Sequence, residues 1–305
     1  MTSPQLATAT EHGRMYARTR GGTPQVPSIT TVMGVLNENM DWWDALCAAK
    51  AAMKHADRLV AIQQLPQGRE RWSTERVASD WLMEAAERDR NQRGHEGDLM
   101  HDYAEQVARH QLGEATTADV AAARATAEAG GAGKLLPAFD QFWSDWKPRV
   151  LSPEATVWGH EVGYAGTTDL ICELDVGDTT VTGILDYKGK RALFKRNGQR
   201  KDSDLRDVTG MQLTAGAHAD ELWVPGPTPA EDSWVPFPYR IDIGLAVGVA
   251  PDGYVVRQYD IHDPLLWATF TALRQSWDWY GNGADRMSGI LNSPTDVRLS
   301  TAQSV

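Results

Sequence analysis

The stretch from Gly166 to Lys190 constrains this chain more than any other. Two strand-like runs, Gly166-Thr-Thr-Asp169-Leu-Ile-Cys-Glu-Leu and Thr182-Gly-Ile-Leu-Asp186-Tyr187-Lys188-Gly-Lys190, flank a tight Asp175-Val-Gly177-Asp178 turn. That pattern predicts a β-hairpin. Side chains on a strand alternate faces, so Asp186 and Lys188 point one way and Tyr187 the other. Asp169 on the neighbouring strand reaches the same spot. Two carboxylates and a lysine converging on one point of a sheet are costly to bury unless something is held there.

A divalent metal accounts for the cost. Hard cations such as magnesium take oxygen ligands, which Asp169, Asp186 and the backbone carbonyl of Tyr187 can supply. Such an ion lowers the pKa of water and stabilises charge on a phosphate under attack. Lys188 beside it orients that water or takes its proton.

The remaining composition sets bounds. A chain of 305 residues makes one large or two small domains, and 42% hydrophobic with 23% charged residues suits a globular protein. No apolar run approaches the length of a membrane span. The start, Met1-Thr-Ser-Pro-Gln, lacks the basic and apolar regions of a signal peptide, and Cys47 and Cys172 make no disulfide framework. The cytoplasm is the expected compartment. A net charge of −11 argues against non-specific wrapping of DNA, yet Lys188 to Arg206 holds eight basic residues against two acids, a local balance of +6. Lys190, Arg191, Lys195, Arg196, Arg200 and Lys201 lie in this run. Such a run is usually a solvated loop. Its place directly after the proposed metal site favours a phosphate-contacting one.

Taken in order, residues 1–37 read as a tail and a short hairpin through Gly13 to Ile29, with Thr30 or Thr31 capping a helix that runs to Leu36. Residues 38–150 read as mostly helical. Trp42, Trp43, Leu46 and Cys47 have helical spacing, Pro66-Gln-Gly68 breaks the helices, and Ala115 to Gly133 reads as a movable connector. Of the adjacent tryptophans, one core anchor and one interface residue is the favoured reading over base stacking. His101 shares a helix face with Gly97 and Glu105, where it is either a hydrogen-bonded core histidine or a ligand. Residues 151–285 read as an α/β core. Its first strand runs over Ala155-Thr-Val-Trp-Gly-His-Glu161-Val, and a small-residue helix over Ser203–Asp220 carries Gln212. Pro225–Pro238 is a loop, strands cover Ile241–Val249 and Tyr254–Asp260, and an aromatic helix covers His262–Tyr280. Residues 286–305 read as a polar tail.

These residues resemble a known set. Asp169, Asp186 and Lys188 look like the core signature of the PD-(D/E)XK nucleases, and their surroundings resemble the RecB-type exonucleases, including phage and CRISPR-associated relatives. That branch has a Gly-x-x-x-His-x-x-x-Glu helix, matched by Gly97, His101 and Glu105. Its Gly-Thr-x-Asp strand is matched by Gly166-Thr-Thr-Asp169, its Asp-Tyr-Lys by Asp186-Tyr187-Lys188, and a later helical glutamine by Gln212. Motif order and spacing agree over about residues 92–220. The chain departs from the branch at Gly216, where a tyrosine is common. It also lacks the four cysteines that hold an iron–sulfur cluster in some relatives.

The resemblance implies a restriction-endonuclease-like mixed sheet of about five strands flanked by helices. It implies a magnesium- or manganese-dependent deoxyribonuclease, with His101, Asp169, Asp186 and Glu161 toward the metal and Glu105 supporting His101. Lys188 and Gln212 then act on water or phosphate, and the basic loop holds DNA. The implied setting is end-directed digestion of single- or double-stranded linear DNA in recombination or replication. It includes a recombination or single-strand-binding partner, homo-oligomeric assembly, and the host cytoplasm if phage-encoded. A restriction-like or structure-specific endonuclease, and a module of the same fold without cleavage, stay open.

Overall fold

The computed structural model describes residues 4–36, 41–64, 74–195, 197–199, 205 and 207–279, with the backbone alone at 41, 42, 74, 75 and 207. The expected polar tail, the Pro66–Gly68 break and the Ser203 cap lie outside these residues. So do Arg196, Arg200, Lys201 and Arg206.

The chain is an α/β protein. Strands β1 (Ala7–Thr10), β2 (Gly13–Tyr16) and β3 (Val26–Pro27) form a small antiparallel sheet. Helix α1 (Ile29–Met33) follows, capped by Ser28 rather than by a threonine: the Ser28 hydroxyl accepts from the Thr31 N–H at 2.9 Å. The threonine hydroxyls are engaged elsewhere, Thr31 donating to the Arg14 carbonyl and Thr30 pairing with Ser28.

The helical stretch contains α2 (Asp41–Lys54), α3 (Ala56–Gln63), α4 (Thr74–Met83), α5 (Ala85–Gln111), α6 (Thr117–Ala129) and α7 (Leu136–Trp146). Helix α6 occupies the expected connector. A capping box between Thr116 and Asp119 starts it, and Ala127 is fully buried. Gly130 and Gly133 after it are closely packed, a Cβ meeting Leu99 Cδ1 at 2.2 Å and Glu128 Cα at 3.0 Å, while Gly131 supplies a left-handed turn at φ 91°.

Strands β4 (Arg149–Gly159), β5 (Tyr164–Val176) and β6 (Thr179–Gly189) lead to helix α8 (Asp207–Ala217). Strands β7 (Glu221–Val224), β8 (Ser233–Pro236), β9 (Ile243–Ala250) and β10 (Gly253–Tyr259) come next, then helix α9 (Pro264–Asp278). Among the described residues they form a seven-stranded mixed sheet ordered β10-β9-β6-β5-β4-β7-β8. Two strands more than expected appear partly because β8 lies in the Pro-rich segment. Its closing Pro236 is tolerated at the sheet edge, where no ladder donor is needed. Strand β6 runs parallel to β9 and antiparallel to β5. Strand β9 is buried along nearly its whole length, as a strand covered on both faces must be.

One face of the sheet packs Leu170, Cys172, Leu185, Tyr187 and Val247 against Met100, Tyr103, Phe139 and Phe142 of α5 and α7. The other packs Val157, Ile171, Ile184 and Ala246 against Leu213 of α8. The N-terminal sheet is fastened to this core: Tyr16 Oη lies 3.0 Å from Thr167 Oγ1, and Ser28 bridges to Ala165. The aromatics of α9 are packing residues, with Phe270 fully buried and Trp267 stacked on His218. Among the described residues, no helix is long and apolar enough to cross a membrane.

Candidate metal and phosphodiester site

The site forms where two strands part. Strand β5 pairs with β6 from Val176↔Thr179 up to Leu170↔Leu185. Past that point β5 continues along β4, and β6 continues along β9. At the fork, the Tyr187 N–H donates to Asp169 Oδ2 at 2.6 Å. A side chain thereby supplies the acceptor that a backbone carbonyl would otherwise provide.

Alternation along β6 then does the sorting. Tyr187 enters the core against Phe139 and Phe142, with ring centroids at 5.4 and 6.2 Å. Asp186 and Lys188 face the other way. Lys188 Nζ lies 2.8 Å from Asp186 Oδ1 and 2.7 Å from Oδ2. Gln212 on α8 donates through Nε2 to Asp186 Oδ1 at 2.8 Å and presents Oε1 to Lys188 Nζ at 3.4 Å. Glycines let α8 come this close: a Cβ on Gly210 would strike the Tyr259 ring at 2.7 Å, and one on Gly216 would meet Ile184 Cδ1 at 2.7 Å. Any side chain at the latter position, where the resembling branch commonly has tyrosine, would have to displace the end of Ile184.

His101 comes from α5 on the opposite side of the fork. Its Nδ1 lies 3.3 Å from Asp169 Oδ1 and its Nε2 3.1 Å from the Tyr187 carbonyl oxygen. Its third neighbour is Glu154, which sequence reasoning missed. Ligand atoms of His101, Glu154 and Asp169 all lie within 4.8 Å of one another. Glu154 sits within β4 at φ 46°, in the left-handed region that a glutamate rarely enters. The sequence offered no signal for it, because Pro153 reads as a break and the predicted strand began one residue too late. Glu161, the acid assigned from the resemblance, lies elsewhere. Strand β4 ends at Gly159, and Glu161 is exposed in the turn to β5, away from the residues that line the cleft.

Charge within the fork is uneven. Burial works against a charged His101, but Asp169, helped by Glu154 and Asp186, outweighs it and lifts the pKa to about 9. Burial would raise Asp169; His101, Lys188 and the Tyr187 N–H overcome it and hold this carboxyl below its usual range. For Glu154 burial wins, the charge of Asp169 adds to it, and the acid is pushed well up. Burial also raises Asp186, against the pull of Lys188. Lys188 itself is disfavoured by burial, yet Asp186 and Asp169 keep its ammonium above the ordinary value.

The cleft around these groups has a second wall. Pro4, Arg14, Tyr16, Ser28, Ile29 and Thr30 line it from the N-terminal side, and Arg14 is exposed there. Glu105 also lines it and accepts from Arg109 Nε at 2.8 Å. Of the basic run, Lys195 is exposed and Lys190 half-buried. Arg191 pairs with Asp89 and lies over the Trp43 ring at 5.1 Å. Trp43 is therefore a packed residue, while the side chain of Trp42 lies outside the described ones. No model of a known protein family matches the sequence, and no curated protein matches it either.

Proposed function

We propose that this chain is a divalent-metal-dependent deoxyribonuclease of PD-(D/E)XK type that hydrolyses phosphodiesters at the ends of linear DNA. One observation carries the reading. His101, Glu154, Asp169, Asp186, Lys188 and Gln212, drawn from five separate elements, meet at one strand fork that opens into a cleft. One imidazole nitrogen and several carboxylate oxygens form a donor set suited to magnesium or manganese. Crowded acids, two of them raised by burial, are what a bound cation would relieve, and the strained φ of Glu154 is what aims that carboxyl at the others. His101, Glu154 and Asp169 would hold it, with Asp186 beside them. When bound, such an ion supplies Lewis-acid charge to a phosphodiester and makes water more acidic.

The chain's own residues set the rest. Lys188, held 2.8 Å from Asp186 Oδ1, is placed to orient the attacking water, to take its proton or to neutralise a phosphoryl oxygen. Gln212 fixes Asp186 and Lys188 in one arrangement. Arg14 on the far wall is placed to contact a neighbouring phosphate. In this reading the enzyme works in the cytoplasm, the host's if phage-encoded, beside recombination or single-strand-binding proteins and with self-assembly as in related exonucleases.

The test incubates end-labelled linear DNA and closed circular DNA with magnesium, manganese or chelator, using the parent and Lys188→Ala. Loss of linear DNA with either metal, abolished by chelator and by the variant, supports the reading. Cleavage of circles would favour an endonuclease. Equal digestion by variant and parent would reject the assigned chemistry.

A further inference from the structure

We propose that Arg191, counted by sequence among the DNA-contacting basic residues, is instead a positioning residue that locks α5, and with it His101, against the catalytic strand β6. The inference rests on the nuclease reading for its manganese and DNA measurements, and its hydrogen-exchange measurement stands without that reading.

Arg191 lies three residues past Lys188, yet its guanidinium turns toward the helical region and pairs with Asp89 on α5. The other oxygen of Asp89 lies 2.8 Å from the Arg93 guanidinium. Both arginines cover the same indole, that of Trp43 on α2, at 4.4 Å for Arg93 and 5.1 Å for Arg191. One carboxylate and one ring thus hold two cations that would otherwise repel. The Arg191–Asp89 pair alone spans 102 positions of sequence, and with Trp43 the arrangement joins α2, α5 and the segment that leaves β6.

Its place along α5 gives it a consequence. His101 touches the Tyr187 carbonyl at one end of the contact, and Asp89 holds Arg191 at the other. From Asp89 to His101 the helix advances about 18 Å. From Tyr187 to Arg191 an extended chain covers about 13 Å. The exit of β6 therefore runs alongside α5 and is fastened to it twice. Between the two fastenings Lys134 pairs with Glu96 at 2.7 Å, and Leu135 packs against Gly189. The buried residues of α5 lie at Ala85 and Ala86 and from Leu99 to Ala108, so the second fastening steadies the stretch between them, which runs into His101.

Arg191→Gln and Asp89→Asn test this, the second breaking the clasp from the face away from the cleft. Arg191→Lys keeps the charge. Three readouts apply: manganese affinity by calorimetry, kcat and KM on linear DNA, and the salt dependence of DNA binding in chelator. Backbone hydrogen exchange of α5 in chelator adds a fourth that needs no activity. The expected result is about tenfold weaker manganese binding, a matching fall in kcat and faster exchange around His101 in both neutral variants. KM and the salt slope stay at the parent's values, and Arg191→Lys recovers part of the loss. A higher KM and a salt slope smaller by about one in Arg191→Gln, with Asp89→Asn like the parent, would make Arg191 a phosphate contact and overturn the proposal. If the parent neither binds manganese nor digests DNA, the nuclease reading fails and exchange decides the clasp: faster α5 exchange in both variants sustains it, parent-like exchange refutes it.

Discussion

The backbone N–H of Tyr187 donates to the carboxylate of Asp169, so one residue both closes a parted strand pair and supplies a candidate ligand. The two duties separate by substitution. Asp169→Asn keeps an acceptor for the N–H and loses the charge, whereas Asp169→Ala loses both. In chelator, Asp169→Ala should be less stable than Asp169→Asn by roughly 1–3 kcal/mol, the cost of a buried donor left unmet. Both should lose manganese binding and DNA digestion. Denaturant melts and calorimetry check the pair, and equal stability of the two variants would count against the capping duty.

His101 sets a pH dependence for the metal-free protein. Its pKa is lifted from an ordinary 6.5 to about 9, so the folded state holds the proton more tightly than the unfolded one. That stability is fully present below pH 6.5 and lost as pH rises through 9, amounting to roughly 1–3 kcal/mol. Denaturant melts in chelator should therefore show stability falling across this window. His101→Gln should flatten the fall. Manganese should reverse the trend in the parent, because ligation displaces the proton and tightens as pH rises.

Glu154 carries strain that a glycine would release. At φ 46° a residue without a Cβ is at ease, and removing the acid also removes a buried carboxyl crowded by Asp169. Glu154→Gly should raise stability in chelator by about 1 kcal/mol. It should weaken manganese binding by at least about tenfold. A variant that is less stable and binds metal as before would refute the ligand assignment.

Gly216 marks how closely α8 approaches β6. A methyl group there would lie 2.7 Å from Ile184 Cδ1, the end of a buried side chain that must turn aside, so Gly216→Ala should cost about 1 kcal/mol. Because the same helix carries Gln212, the variant should also lower kcat. Thermal melts and initial rates measure both. Adding Ile184→Val, which shortens the clashing side chain, should recover part of each loss.

Much of the site is written locally. The alternation Asp186-Tyr187-Lys188 places two polar groups on one face, and helical spacing joins His101 to Glu105. The α/β class came from the resemblance those residues carry, beside the strand and helix periodicities of residues 151–285. What escaped the sequence depends on contacts between distant segments. Glu154 reaches the fork only because its backbone adopts a conformation that residue type argues against. Glu161, an acid near a strand end, was plausible until β4 proved to stop at Gly159. Arg191 reads as one more charge in a basic run, since nothing nearby announces a partner on α5. Ser28 displaced the expected threonine caps because Thr31 is drawn to the Arg14 carbonyl. Strand β8 was hidden by prolines that an edge can tolerate but an interior cannot.

The wall built by Pro4 and the strands after it has a practical corollary. Pro4 itself lines the opening, so a purification handle fused ahead of it would, in the nuclease reading, compete with DNA for the cleft. An acidic handle would imitate the polyanion that this reading assigns to the cleft, and removing it by protease should raise the rate of DNA digestion.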